Sequence, residues 1–394
     1  MKNISFNKKG YSFIKFGKRN EYYNANLNLA ELIKFLFIDK RIFLQPFRVT
    51  CKKYSFRSLI EFTIFQIKIF KRSIFHLYRY LKYKLNIKAA DELLCFETFG
   101  EFCVIVNKGH KIFNFRHKVV RKIFQKKIKS EDIEKEIKKI KKSQNTKVAV
   151  KLIRSNLAEK WYEEELIMGR RDFSHYPRKK DELMKYFQAN IIPALIRIMC
   201  SDQIVLNNLG SIFNLYYKDL NKNLYTNKYL KYQAKVETDK FLNSQIKFFK
   251  EKAASNIYFG FSHGDFCPAN IINTSNGIKI IDWENAGIRS LLFDYYSYLF
   301  YRPVHQIYED FHLLKIEIDQ TLNNFIKSLN INSIKIKKSI DRDQSIYRHI
   351  YYVERIIMLI ERSKEDKKLN ISHILVDFIN AFIKYEEKLN TASA

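Results

Sequence analysis

The sequence predicts an α+β chain whose strands come early and whose helices come late. Three observations predict it. Residues 93–169 carry short β-rich runs around one charged helix, and residues 170–394 carry apolar residues every three or four positions. A single strand–turn–strand unit near residue 270 interrupts those helices. Residues 1–92 stand apart as a basic, aromatic N-terminal extension.

At 394 residues the chain can bury a large core, and its length suggests two or three domains. A hydrophobic content of 46% is that of a globular protein. The net charge of +30 invites an anionic partner. The chain is rich in Lys, Ile, Asn, Phe and Tyr and poor in Gly and Pro, as A+T-rich coding sequences tend to be. That bias would raise Lys everywhere. It does not account for residues 1–90, where twenty Lys/Arg face four Asp/Glu, so that sixteen of the thirty net charges sit there. Five widely spaced cysteines (Cys51, Cys95, Cys103, Cys200, Cys267) form no CxxC pair. Neither a disulfide framework nor a zinc site is implied, and a reducing cytoplasm fits. The N-terminus shows no h-region, and no apolar run approaches the ~18 residues of a membrane span. The expectation is a cytoplasmic protein, with peripheral contact at the inner face of the membrane as a second reading.

In the extension, Lys68, Lys71, Arg72, Arg79 and Lys82 recur at helical spacing and alternate with Phe65, Ile69, Ile74, Leu77 and Leu81. A basic amphipathic helix over residues 60–85 suits an anionic membrane surface. An ordinary helix packed on the core with its lysines in water accounts for the pattern slightly better. The aromatics form no single-strand platform or RNA-binding motif, so nucleic acid is not an expected partner. Strands are then predicted over residues 102–106, 111–115 and 119–124, with a turn at 107–110. Ser130 opens a charged helix over 131–142, with Glu131 and Asp132 at the positive end of its dipole. Strands return over 148–154 and 161–168, and Gly169 stops the second. This order has the shape of a small nucleotide-binding lobe. Helices are predicted over 184–200, 238–252, 291–301, 307–329, 343–362 and 371–389, and their apolar stripes read as core.

The chemistry concentrates in HGDFCPAN over residues 263–270 and IIDWE over 280–284. Phosphoryl transfer needs a group to position or deprotonate the attacking hydroxyl, metal ligands on the phosphates and a cation beside them. Magnesium takes hard oxygen donors such as carboxylates and amide carbonyls. Asp265 and Asn270 share one loop. Asp282 ends the next apolar strand across a turn at residues 275–277, which returns it beside Asn270.

In His263, Gly264, Asp265, Asn270, Ile281, Asp282, Trp283, Glu284 and Asp294 the chain resembles the aminoglycoside phosphotransferase and choline kinase superfamily. The resemblance covers residues 93–390 in order and is specific over 263–294. It implies a two-lobed protein-kinase-like fold, with a small β-rich N-lobe over 93–169 and a larger, mainly helical C-lobe over 170–394. It also implies ATP and Mg2+ as cofactors and a small-molecule hydroxyl acceptor: a sugar, an amino alcohol or an envelope-glycan precursor. Asp265 would orient or deprotonate that hydroxyl, and His263 would support the loop. Asn270 and Asp282 would hold the metal, Glu284 would reach a second metal, the substrate or neither, and Asp294 would tie down the loop. Lys122 resembles the phosphate-binding lysine, with Arg121 as its rival because only one of two neighbours on a strand faces the cleft. Glu136 resembles the helix glutamate that pairs with it, with Glu134 as the alternative. Residues 163–169 resemble the hinge, where Glu165 and Ile167 would meet adenine through their backbone. The phosphate-covering loop is poor in glycine and offers only Gly100. A competing class is a non-catalytic kinase-like nucleotide-binding scaffold, whose mark would be loss of Asp265 or Asp282; both are present. A third reading is a membrane-surface kinase acting on a lipid-linked substrate.

Overall fold

Eight antiparallel strands form the larger sheet: β1 (Tyr11–Lys15), β2 (Glu21–Asn24), β3 (Glu92–Phe96), β4 (Phe102–Val106), β5 (Gly109–Asn114), β6 (Val119–Phe124), β7 (Leu152–Asn156) and β8 (Trp161–Glu165). Their spatial order is β3-β1-β2-β4-β5-β6-β8-β7. A computed structural model of the chain describes residues 11–15, 21–39, 56–85, 92–171, 185–300, 322–327, 334–365 and 371–391. The chain divides into two compact units, residues 1–144, 149–178 and 271–281 in the first and the remainder in the second.

The sheet is buried on both faces, and the alternation of its strands shows how. Ile14, Tyr23, Phe102 and Phe113 fall in one apolar cluster, while their neighbours Phe13, Tyr22, Cys103 and Ile112 fall in another. Phe35 and Leu36 join the first cluster from the end of α1 (Leu29–Lys34). That helix opens on a capping box: Asn28 accepts the Glu31 N–H at 2.9 Å, and Glu31 accepts the Asn28 N–H at 3.0 Å. The long helix α2 (Phe56–Lys84) packs on the same side. Its buried Tyr80 hydroxyl donates to the Ala25 carbonyl at 3.0 Å and to that of Leu27.

Composition separates residues 1–92 from the rest of the chain, but the sheet does not observe that division. β1 lies between β3 and β2, and β2 pairs with β4. The reason is that these two short strands supply the apolar partners that β3 and β4 need. Their few residues are hidden in composition by the basic residues around them.

The strand expected over 119–124 and the helix after Ser130 are present as β6 and α3 (Ser130–Ser143). The strand expected over 148–154 begins later, as β7, because Val148 and Val150 instead lie buried, with the Val150 N–H donating to Ile280 at 3.3 Å. The first unit also holds a three-stranded sheet in which the hairpin Ile271–Thr274 and Gly277–Ile280 pairs with Arg170–Arg171. Gly169 has to be glycine for that approach: a Cβ there would lie 2.4 Å from the Asn273 carbonyl oxygen.

The second unit is mainly helical: α4 (Ile192–Met199), α5 (Leu209–Thr226), α6 (Tyr232–Glu251), α7 (Phe293–Leu299), α8 (Ile334–Arg342), α9 (Gln344–Glu365) and α10 (Ile371–Thr391). A small antiparallel sheet joins Val205–Asn208, Asn256–Ser262 and Gly287–Ser290. Helix α5 and all three strands of that sheet were not anticipated. The helix expected over 307–329 falls largely outside the described residues.

Between α9 and α10, Glu386 accepts from Arg348 at 2.6 and 3.0 Å and from the Tyr352 hydroxyl at 2.7 Å. Burial pushes the Glu386 carboxyl up, but the His349 and Arg348 hydrogen bonds and charges outweigh it and hold it well below the ordinary value of 4.5. A depressed carboxylate stabilises the fold at pH values above its unfolded pKa, and that contribution is lost as pH falls through the folded value. We therefore expect Glu386→Gln to destabilise by ~3 kcal/mol at pH 7 in urea unfolding. The gap to wild type should narrow steadily below pH 4.5. A gap that does not change with pH would refute this account.

Candidate active site

Strand Asn256–Ser262 ends at residue 262, and the chain turns there into loop 263–270. The turn is built around the buried Asp294 of α7. Its carboxylate accepts from the Ser262 hydroxyl at 2.9 Å, the His263 N–H at 2.6 Å and the Gly264 N–H at 3.1 Å. This is the tethering expected of Asp294. Burial pushes its carboxyl above the ordinary value against the pull of His263 and those donors. Gly264 has φ +80°, and a Cβ would sit 2.2 Å from the Asn285 carbonyl oxygen, so only glycine makes this turn.

From that anchored turn Asp265 projects half-buried, held by three neighbours. Its backbone N–H donates to His263 Nδ1 at 3.1 Å. The Asn270 side-chain N–H donates to its carbonyl oxygen at 2.9 Å, and Arg355 Nη2 donates to its Oδ1 at 3.2 Å. His263 is fully buried, with its ring 4.6 Å from that of Trp283. Its Nδ1 therefore meets the Asp265 backbone from a position shielded from solvent. In the same loop, burial and then the Asp265 charge push the buried Cys267 thiol up to about 12.

Asn270 directly precedes the hairpin strand Ile271–Thr274, and Asp282 lies two residues after Gly277–Ile280. The register pairs Ile271 with Ile280, which sets Asn270 and Asp282 at the same open end of the hairpin. Asp282 adopts φ 64°, ψ 54°, a left-handed conformation that most residues avoid and Asp tolerates. Glu284 is exposed in the short turn Trp283–Asn285 just beyond. The donor set suits magnesium. Asn270 commits its amide nitrogen to Asp265, leaving its carbonyl oxygen for a cation, and Asp282 adds a carboxylate. Among the described residues no three His, Cys, Asp or Glu gather as a self-sufficient metal cage. Magnesium bound through one or two protein ligands plus substrate phosphates requires none.

In the first unit the two basic neighbours on β6 point to opposite faces. Val120, Lys122 and Phe124 are buried, and the Lys122 ammonium meets Glu136 of α3 at 2.6 Å. The Tyr162 hydroxyl donates to the same Glu136 oxygen at 2.9 Å. Arg121 faces the other way, stacks over Trp161 at 4.1 Å and bonds Thr98 and Glu163. Burial pushes the Glu163 carboxyl up, but Arg154 and Arg121 together hold it below the ordinary range. Glu134 makes only a surface pair with Lys138 at 2.9 Å. Gly100 is buried, and a Cβ there would strike Ile112 Cγ2 at 2.5 Å and the Phe113 carbonyl oxygen at 2.7 Å. Close packing on β5 is therefore sufficient reason for this glycine. The Glu165 N–H donates to the Lys151 carbonyl at 2.9 Å, so only its carbonyl would remain for a hinge contact. Ile167 is half-buried just beyond β8.

Comparison with known proteins bears on the loop and hairpin. Residues 218–311 match the phosphotransferase enzyme family (APH). The matched segment takes in the whole of loop 263–270, Asp282, Glu284 and Asp294. No curated protein matches the chain in sequence. Among solved structures it is similar to the choline kinase LicA from Streptococcus pneumoniae (16% identity, 78% of this chain and 99% of that one, TM-score 0.46). It is also similar to an ethanolamine kinase from Plasmodium vivax (13% identity, 79% and 88%, TM-score 0.47). A third is a glucosamine kinase in complex with glucosamine, ADP and inorganic phosphate (10% identity, 74% and 81%, TM-score 0.45).

The phosphotransferase-family segment ends before one residue that touches its loop. Arg355, on α9, was not anticipated from sequence. Its neighbour Glu354 is more deeply buried, accepting from the Ser290 hydroxyl at 2.6 Å, the Ser290 N–H at 3.0 Å and the Tyr216 hydroxyl at 2.7 Å. A signal was present. Glu354 and Arg355 interrupt the apolar periodicity of YYVERIIMLI, and charges on the inner side of a helix need partners elsewhere in the fold.

Proposed function

We propose that the protein is an ATP- and magnesium-dependent phosphotransferase that moves the γ-phosphate to a hydroxyl of a small molecule, such as a sugar, an amino alcohol or an envelope-glycan precursor. One observation carries the reading. Asp265, Asn270 and Asp282 converge on one loop and one hairpin end, inside the segment that matches a phosphotransferase family. In such transfers the protein contributes position and electrostatics more than covalent chemistry.

Asp265 receives the proton of the acceptor hydroxyl. Arg355 and Asn270 fix the direction of its carboxylate, and His263 fixes its backbone. Magnesium, when bound through Asn270 and Asp282, neutralises charge on the donor phosphates. Glu284 lies two residues from Asp282 and supplements that end of the hairpin. Lys122, oriented by Glu136, supplies positive charge to the non-transferred phosphates. The carbonyl of Glu165 and the backbone of Ile167 meet the adenine.

The test uses thermal unfolding with and without magnesium-ATP. A ligand at 100 times its Kd adds about 2.7 kcal/mol to the folded state, a rise of several degrees in Tm. Wild type should show that rise only when magnesium and nucleotide are both present, and Asp282→Ala should lose most of it. A wild-type Tm indifferent to magnesium-ATP would refute the proposal.

A further inference from the structure

The outer face of α2 takes no part in the chemistry proposed above, and it has an unusual composition. Its inner face is buried through Ser73, His76 and Tyr80. On the outer face Ile67, Phe70, Ile74, Tyr78, Leu81 and Leu85 are each between 40 and 72% exposed. At 100° per residue these six fall within a sector of about 80°, a continuous apolar stripe along five turns of helix. Isolated exposed apolar residues are ordinary on a protein surface, whereas a contiguous stripe marks a binding surface.

The charge beside the stripe indicates what it binds. Residues 67–85 contain six Lys/Arg and no Asp/Glu. Lys71 is exposed next to Phe70, and Lys82 lies over the exposed Tyr78 ring at 5.0 Å. An apolar stripe bordered by lysines on a helix that lies flat matches the interface of an anionic bilayer. There the acyl region takes the apolar side chains and the headgroups take the ammonium groups. No described helix is long and apolar enough to cross a membrane, so contact through this helix is in the plane of the surface. We propose that the outer face of α2 docks the protein on an anionic phospholipid bilayer. The docking is independent of the phosphotransferase reading, because it involves none of the residues assigned to that site.

The full chain would be floated with vesicles of phosphatidylcholine alone and of phosphatidylcholine with 30 mol% phosphatidylglycerol (roughly the anionic load at which surface attraction becomes strong). Co-flotation is expected with the anionic vesicles only, falling as salt rises. Phe70→Ser with Tyr78→Ser should lower the bound fraction at least about tenfold, since two aromatic side chains leave the acyl region. Lys71→Gln and Lys82→Gln should each lower it about fivefold. Lys71 is exposed and Lys82 touches only the outer Tyr78 ring, so the lysine variants remain informative if the double serine variant fails to fold. Equal flotation with neutral vesicles, no flotation at low salt, or flotation unchanged by the lysine variants would each overturn the proposal. So would a dimer in solution that dissociates on Phe70→Ser with Tyr78→Ser, since a second copy would then be the occupant.

Discussion

Asp265→Asn should leave the protein folded and nucleotide-responsive while lowering kcat for phosphate transfer by roughly 10²–10⁴-fold, the usual range for loss of a positioned general base. Asparagine is nearly isosteric and retains an oxygen for Arg355, so the contact at 3.2 Å is weakened and not replaced by a void. It cannot take a proton. The measurement is transfer of labelled γ-phosphate to an acceptor found by screening sugars and amino alcohols, with wild type and variant at saturating magnesium-ATP. The Tm rise with magnesium-ATP should survive in this variant, in contrast to Asp282→Ala, because Asp265 is assigned to the hydroxyl and not to the metal. A variant with unchanged kcat would remove Asp265 from the mechanism. A variant that also loses the nucleotide response would move it to the metal.

Asp294→Ala carries the largest stability effect expected in the chain. The substitution strips an acceptor from three donors at once, the Ser262 hydroxyl and the N–H groups of His263 and Gly264. All three are buried, and a buried donor left without a partner costs about 1–3 kcal/mol. Ser262 can still accept from the Gly264 N–H, at 3.0 Å, so the donors are not all orphaned. A loss of about 3–5 kcal/mol is expected in chemical denaturation, together with a rate defect, because the turn that aims Asp265 is the part released. Asp294→Asn keeps one acceptor oxygen and should fall between wild type and alanine. Full stability of the alanine variant would show that the loop is held by something else.

Which features could be read from the sequence depended on how far apart the cooperating residues lie. Loop, hairpin and Asp282 are legible because they fall within twenty residues, and the pairing of Ile271 with Ile280 comes from turn and spacing. The strand of Lys122 and the helix of Glu136 are fourteen residues apart, and alternation on β6 decides which basic residue turns inward. Arg355 reaches Asp265 across ninety residues, and no local pattern encodes that meeting. The same limit applies to β1 and β2, whose partners β3 and β4 are supplied by residues 92–106. Strand pairing at that separation depends on which apolar edges are left uncovered, a property of the assembled sheet.

The position of β1 and β2 between β3 and β4 has a practical consequence for anyone trimming the protein. Cutting at residue 92 looks harmless by composition, since it removes a basic leader and leaves every residue assigned to chemistry. It would instead excise two interior strands of the larger sheet and leave FCVIV, residues 102–106, as a bare apolar edge. Such an edge is a template for intermolecular pairing, and the shortened protein should come out of expression as inclusion bodies. The N-terminal residues thus serve as the protein's own protection against self-association.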